Sequence, residues 1–353
     1  MTVEPTAPPP RANPQLVGHD AVEAALQRQA DTGRLPHALL LSGPRGIGKA
    51  TLAFRLARYV LAVGEGNGID ASLGIFGAPA PPRTTGLAVP PESGVFRRVA
   101  AGGHADLLTI ERAYDSRRKR LRGEIVVDEV REIGTFLHLT AAEGGWRVVI
   151  VDGADEMNRS AANSLLKILE EPPRHALLIL VAQSLGKLLP TVRSRCRHMA
   201  LAPLSSPILH GLLACYCPTL EEHESASVAE MSQGSIGRAL ELIASGGIEL
   251  QKTLNMLTRR GGTDALALHG FADRLARADA EDAYRTVGDL LRQDLASRAV
   301  GAARENLRAA AARWVDVRTQ IEREFARTDG LNLDKKQTIM NAIFAINAAA
   351  EAG

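Results

Sequence analysis

Residues 43–51, "GPRGIGKAT", decide the fold of the first part of this chain. They match the pattern G-x-x-x-x-G-K of a phosphate-binding loop, except that Ala50 stands where a serine or threonine is usual. The apolar run "HALLLSG" precedes them, and "KATLAFRLARYVLA" follows with apolar residues at helical spacing. The order strand, glycine-rich loop, helix is the context in which such a loop binds phosphate.

A phosphate-binding loop directs backbone N–H groups and a lysine at the phosphate oxygens. The missing hydroxyl at Ala50 is the one that would bind Mg²⁺. Thr51 is one residue further along the helix, and its side chain is therefore rotated by about 100° from that position. The predicted nucleotide-binding residues are Gly43, Gly46, Gly48, Lys49, Thr51 and Asp152.

Asp152 follows the buried apolar run "VVIV", where an ATPase carries an acidic residue at the end of a strand. In hydrolysing members of this class a glutamate follows that aspartate and prepares the attacking water, but here the position is Gly153. Asp155 and Glu156 lie three and four residues past Asp152 and are interpreted as first-turn acids of a helix. Ala50 and Gly153 together predict a degenerate ATP site without intrinsic ATPase activity.

Alternating strand and helix patterns from about residue 36 to 203 predict an α/β fold, a doubly wound parallel sheet. The predicted domains are a disordered, proline-rich arm over 1–13, a nucleotide-binding α/β domain over 14–203, a small helical domain over 204–247, here called the lid, and a helical domain over 248–353, here called the collar. A Gly/Pro-rich surface insertion is expected over 64–103.

The composition of the 353 residues is that of a globular, water-soluble chain, with 45% hydrophobic and 23% charged residues and a net charge of +2. This charge gives no overall attraction to nucleic acid or membrane. Cys196, Cys215 and Cys217 do not repeat a C-x-x-C spacing, which indicates a reducing compartment and buried thiols. No apolar run reaches the ~20 residues of a membrane span, so a cytoplasmic protein is expected.

Three segments give the chain a resemblance to a known family: "LVGHDAVEAAL", "NSLLKILEEPP" and "LLPTVRSRCRHMALAPL". Together they resemble bacterial clamp-loader AAA+ subunits, and most of all the delta-prime type of DNA polymerase III. The resemblance covers most of residues 14–245. It implies a pentameric complex with gamma/tau-type and delta-type subunits that opens a sliding clamp and places it on primed DNA.

The resemblance also implies a role for the motif Ser194-Arg195-Cys196. In this family the arginine of the motif reaches into the ATP site of the neighbouring subunit, and Arg195 matches it. A permanently charged, planar guanidinium stabilises the charge that develops during phosphoryl transfer. A solvated basic turn is the alternative interpretation of this motif.

The departures from the family favour a non-motor subunit. A motor subunit has an arginine in its "G-S-x-R" motif, whereas this chain reads "GSIGRAL" with Gly237 in that position. Residues 64–103 contain no cysteine, so the zinc module of many relatives is not expected. ATP is expected to bind weakly or not at all, and no cofactor is required.

Two further segments are open to alternative interpretations. The basic run "SRRKRLR" over 116–122 could touch a phosphate backbone or form a solvated loop. Trp314, Val315 and Ile321 would face a core or a partner. The rival functions are an ATP-hydrolysing gamma/tau-type subunit and a nucleotide-regulated binding module outside replication.

Overall fold

The computed structural model describes residues 7–66, 86–115, 120–142, 145–259 and 264–352. They form two compact units: an α/β unit of residues 7–212 with 233–237, and a helical unit of residues 213–232 with 238–352. The predicted lid and collar residues thus belong mainly to one unit by their packing, and their division into two domains stays a prediction.

A parallel sheet of five strands forms the centre of the α/β unit, in the order β2-β5-β6-β1-β7. The strands are β1 (Ala38–Ser42), β2 (Leu107–Ile110), β5 (Arg147–Asp152), β6 (Ala176–Ala182) and β7 (Arg197–Ala200), and a two-stranded hairpin is formed by β3 (Tyr114–Asp115) and β4 (Arg120–Leu121). Every residue of β1 and β6 is buried, as expected for strands covered on both faces.

Helices cover both faces of this sheet. One face packs against α1 (Asp20–Asp31), α2 (Lys49–Gly66) and α3 (Gly94–Ala100), and the other against α4 (Val127–His138), α5 (Arg159–Glu170) and α6 (Pro190–Arg193). The predicted doubly wound α/β fold is therefore confirmed. Because β1 and β5 are neighbours of β6 in a parallel sheet, their carboxyl ends lie at one edge and bring residues 43 and 152 to the same side.

The predicted disordered arm is wrong for residues 7–13, while residues 1–6 lie outside the described part. A 3₁₀ helix spans Pro10–Ala12. Arg58, which is 1% exposed, donates to the carbonyls of Arg11 and Asn13 at 2.9 and 2.7 Å, and its guanidinium lies over Phe96. A buried guanidinium needs acceptors, so these two carbonyls hold the segment on α2.

The predicted surface insertion over 64–103 is also wrong in its last part. Helix α3 begins after Ser93, whose side chain accepts from the Phe96 N–H, and it buries Val95 and Val99 in the core beside α2. Helix α3 is short, so the sequence offered only two turns of periodicity to detect. Residues 67–85 lie outside the described residues.

The helical unit contains the rest of the helices that the structure describes: α7 (Ser206–Tyr216, shared with the α/β unit), α8 (Glu222–Ser232), α9 (Ile236–Ala244), α10 (Gly247–Leu257), α11 (Ala265–Leu275), α12 (Glu281–Arg304), α13 (Arg308–Leu331) and α14 (Lys335–Glu351). Ile321 lies in its core, Trp314 packs against that core, and Val315 is 51% exposed. Within the described residues, none of these helices is both long and apolar enough to cross a membrane.

Candidate functional site

The predicted phosphate loop lies between the end of β1 at Ser42 and the start of α2 at Lys49, as the sequence indicated. Gly43, Gly46 and Gly48 have positive φ angles of 144°, 75° and 109°. The loop therefore has the shape of an anion cradle at a helix N-terminus.

Each backbone carbonyl from Gly43 to Ile47 accepts a hydrogen bond from within the chain. Lys49 Nζ donates to the carbonyls of Gly43 and Pro44 at 2.8 and 2.5 Å. The other three donors are Ser235 Oγ to Arg45 at 2.7 Å, the Gly237 N–H to Gly46 at 2.9 Å and His19 Nε2 to Ile47 at 2.7 Å. The chain's own contacts thus fix the loop.

Lys49 is buried, with 5% of its surface exposed. Burial lowers the pKa of its ammonium group to about 8, and the attraction of Asp152 and Asp155 opposes this change only in part. A buried ammonium group suits a phosphate ligand, because the negative charge of the phosphate would favour the protonated form that burial disfavours.

Asp152 ends β5 near this lysine. Burial raises the pKa of its carboxyl, and the negative charges of Glu111 and Glu156 act in the same direction, while Lys49 and Arg45 lower it. Lys49 and Asp152, predicted from separate parts of the sequence, are therefore brought together and interact through their charges.

The residue after Asp152 is tightly constrained. Gly153 has φ +90°, and a Cβ atom there would lie 2.6 Å from Glu156 Oε2. A glutamate at this position would have to adopt a left-handed backbone that L-residues avoid. Glycine is therefore favoured at position 153, and a glutamate there would be strained.

The donor set at this site does not fit Mg²⁺. Ala50 supplies no oxygen, and Thr51 is buried in α2 at 8% exposure. Among the predicted nucleotide-binding residues, Asp152 is the one with a carboxylate. Mg²⁺ prefers oxygen ligands in near-octahedral order, and one carboxylate without the loop hydroxyl provides only part of that set.

Gly237 lies directly on the phosphate loop. A Cβ atom at Gly237 would lie 2.8 Å from the Gly46 Cα atom, so no larger residue fits without moving the backbone. Gly237 therefore makes a backbone contact with the loop that any side chain at this position would disturb. Sequence reasoning named Gly237 as a departure but did not find its contact with Gly46.

Arg195 lies two residues after α6 in the α/β unit, and with its partners Glu170 and Thr191 it forms what we call the Arg195 corner. Its side chain is 37% exposed; Nη2 donates to Glu170 Oε1 at 2.7 Å, and Nη1 donates to the Thr191 carbonyl at 3.1 Å. Ser194 is exposed and bonds the same carbonyl through its Oγ at 3.1 Å. Cys196 packs against the core, and burial raises the pKa of its thiol to about 11, which favours the protonated thiol near neutral pH.

Asp155 and Glu156 lie in the first turn of a helix, as predicted, and both also bond to other loops. They lie in a 3₁₀ helix over Ala154–Glu156, and Asn158 caps the helix that follows. The two Asp155 carboxylate oxygens accept from the N–H groups of Gln183 and Ser184 at 3.0 and 2.9 Å, and Glu156 pairs with Arg112 at 2.9 Å. The two acids connect loops, which the spacing alone did not reveal.

Two further candidates from the sequence are the basic run over 116–122 and the cysteines Cys215 and Cys217. The basic run over 116–122 falls partly outside the described residues; Arg120 and Leu121 form β4, so that part is a strand and not a loop. Cys215 is exposed and Cys217 is buried. In the described ranges, no group of three or more metal-binding side chains comes together.

Comparison with known proteins identifies the relatives of this chain. Residues 88–205 match the family described as DNA polymerase III, delta subunit. The chain is 28% identical over 258 residues to DNA polymerase III subunit gamma of Buchnera aphidicola subsp. Schizaphis graminum, covering 70% of this chain and 63% of that protein. It is 37% identical over 164 residues to subunit delta' of Pseudomonas aeruginosa, covering 46% and 42%.

The chain carries a DNA polymerase III delta-type domain. It is homologous to gamma and delta-prime subunits, which confirms the resemblance to the clamp-loader group without separating the two types. The chain spans less than two thirds of the length of either relative. A solved gamma subunit-related protein from Thermotoga maritima is similar with a TM-score of 0.45 at 19% identity, over 92% of this chain and 99% of that one.

Proposed function

We propose that this chain is a non-motor, delta-prime-type subunit of the DNA polymerase III clamp loader. It supplies Arg195 in trans to the ATP site of a neighbouring ATPase subunit while the sliding clamp is loaded onto primed DNA. The observation that carries the proposal is the position of Arg195, whose side chain is 37% exposed and, within the described part of the chain, bonds to Glu170 and one carbonyl.

The chain's own nucleotide site supports the same proposal. Ala50 and Gly153 lack the groups that bind the metal ion and prepare the water. Gly237 packs against Gly46 where a motor subunit carries an arginine. In this proposal ATP binds here weakly or not at all, and the subunit requires no zinc or other cofactor.

Replacement of Arg195 tests the trans role. Arg195→Ala should lower hydrolysis at the served site by about 10³-fold or more, the effect of arginine fingers in other phosphoryl-transfer systems. The measurement is ATP turnover of the complex reconstituted with its gamma/tau-type and delta-type partners, the clamp and primed DNA. The total ATP turnover of the complex should therefore fall by the fraction that the served site contributes to it.

Arg193→Ala is the matched control, because Arg193 is exposed, lies two residues away and bonds the Leu185 carbonyl at 3.2 Å. It should leave turnover unchanged. Unaltered turnover in Arg195→Ala would refute the trans role.

A gamma/tau-type ATPase is the second candidate, and the match to a gamma subunit over 70% of the chain favours it. It predicts ATP turnover by the purified chain that Lys49→Ala abolishes. Our proposal predicts no turnover by the purified chain and unchanged clamp loading with Lys49→Ala.

A further inference from the structure

Glu170 is the acidic partner of Arg195. It is the last residue of α5, its side chain is 50% exposed, and its Oε1 lies 2.7 Å from Arg195 Nη2. A carboxylate at the C-terminal end of a helix is unfavourable, because the helix dipole places negative charge there. The guanidinium of Arg195 offsets both this carboxylate and the helix end.

The contact with Glu170 leaves most of the guanidinium available. Arg195 has five N–H donors, and Glu170 and the Thr191 carbonyl take one each, from different nitrogens. Two fixed contacts at separate nitrogens set both the position and the plane of the group. Its other N–H groups can still be directed at an anion from another molecule.

The strength of the pair suits such a role. Both side chains are partly exposed, and ion pairs of this kind contribute little to folding stability. Glu170 can therefore hold the guanidinium before a phosphate arrives without competing strongly once the phosphate is present. An arginine that is already ordered loses less side-chain freedom when it enters a site.

We propose that Glu170 is the positioning residue for Arg195. Its carboxylate holds the guanidinium in one orientation, so that this group meets the γ-phosphate of a neighbour's nucleotide already ordered. The inference rests on the proposed function, since it needs Arg195 to act in trans. Glu170 itself does not touch the nucleotide.

Glu170→Ala tests this role in the reconstituted complex with clamp and primed DNA. The expected result is a fall of about two- to tenfold in kcat at the served site, the range given by ordering one long side chain. KM for ATP should stay unchanged, because an arginine finger acts mainly on the transition state. Glu171→Ala, the exposed neighbour, is the matched control and should leave kcat unchanged.

Rescue and a double variant separate positioning from a structural role. Glu170→Gln retains an oxygen that accepts from Nη2, so it should restore most of the kcat lost in Glu170→Ala. Glu170→Ala combined with Arg195→Ala should lower kcat no further than Arg195→Ala alone. The thermal unfolding midpoint of each variant should match that of the parent chain.

Several outcomes would overturn the inference. Unchanged kcat in Glu170→Ala would leave Glu170 without a role, and increased kcat would show that it competes with the phosphate. An additive loss in the double variant would show that Glu170 acts independently of Arg195. If Arg195→Ala itself has no effect, the proposed function fails; if only Glu170→Ala has none, the positioning role alone fails.

Discussion

The phosphate loop and the Arg195 corner belong to the same α/β unit, but they satisfy their polar groups in opposite ways. In the loop, the carbonyls from Gly43 to Ile47 are bonded by donors from the chain itself. At the corner, the Arg195 side chain is 37% exposed and, among the described residues, bonds to Glu170 and the Thr191 carbonyl. The loop carbonyls are thus bonded inside the unit, whereas the guanidinium of Arg195 lies partly at the surface.

This difference predicts how substitutions in the two regions affect the protein. The backbone atoms around Gly46 are closely packed and leave no space for new atoms. A substitution that moves them should therefore lower the stability of the folded chain. A partly exposed ion pair costs about 0–1 kcal/mol to remove. We therefore expect variants of the loop to alter folding and variants of the corner to alter activity in the complex.

The largest stability effect is expected at Gly237. Gly237→Ala places a Cβ atom 2.8 Å from the Gly46 Cα atom and should lower the free energy of unfolding by about 1–3 kcal/mol, because backbone must move. Urea unfolding of the purified chain measures it. Gly211→Ala is the control: it lies in α7 with open space around its Cβ position and should be neutral or stabilising. Equal effects of the two variants would contradict the close contact.

A smaller loss is expected when the catalytic pattern is restored. Gly153→Glu combined with Ala50→Thr should lower the free energy of unfolding by about 1–2 kcal/mol, because residue 153 has φ +90°. The double variant should not hydrolyse ATP, since Gly237 still stands where motor subunits have arginine. Ala50→Thr alone is the control for stability. Phosphate release from ATP by the purified double variant would show that residues 50 and 153 alone account for the missing ATPase activity.

A pH dependence of stability is expected from Lys49. Its pKa is about 8 in the folded chain and higher in the unfolded chain, so between these values the unfolded chain binds more protons and stability rises with pH. Lys49→Met removes this contribution. The parent chain should therefore gain stability relative to Lys49→Met as the pH rises from 8 towards 10.5, and the difference between the two should stay constant below pH 7. Urea unfolding of both at pH 7 and 10 measures the difference, and a constant difference would contradict the lowered pKa.

Local patterns in the sequence predicted much of the nucleotide site. The glycine spacing and the apolar runs around Lys49 placed β1, the loop and the start of α2 correctly. Asp152 was found because a buried strand of a parallel sheet ends at the same edge as β1. These features depend on residues close together in the chain, which a periodicity or motif can represent.

Contacts between distant residues were missed. Ser235 bonds a carbonyl that lies 190 residues earlier, and the guanidinium of Arg58 bonds carbonyls 45 and 47 residues earlier. No spacing rule links such positions. The proline-rich start of the chain therefore appeared disordered, although two of its carbonyls satisfy a buried charge.

The sequence by itself determined the order strand, loop, helix around Lys49, and it showed that residues 50 and 153 carry no side-chain oxygen, because these features follow from residue identity and local spacing. Only the tertiary structure decided that Gly237 fills the space over Gly46 and that Glu170 holds Arg195. Those contacts join segments that the chain folding brings together, and their energies depend on distance and burial, which residue order alone does not specify.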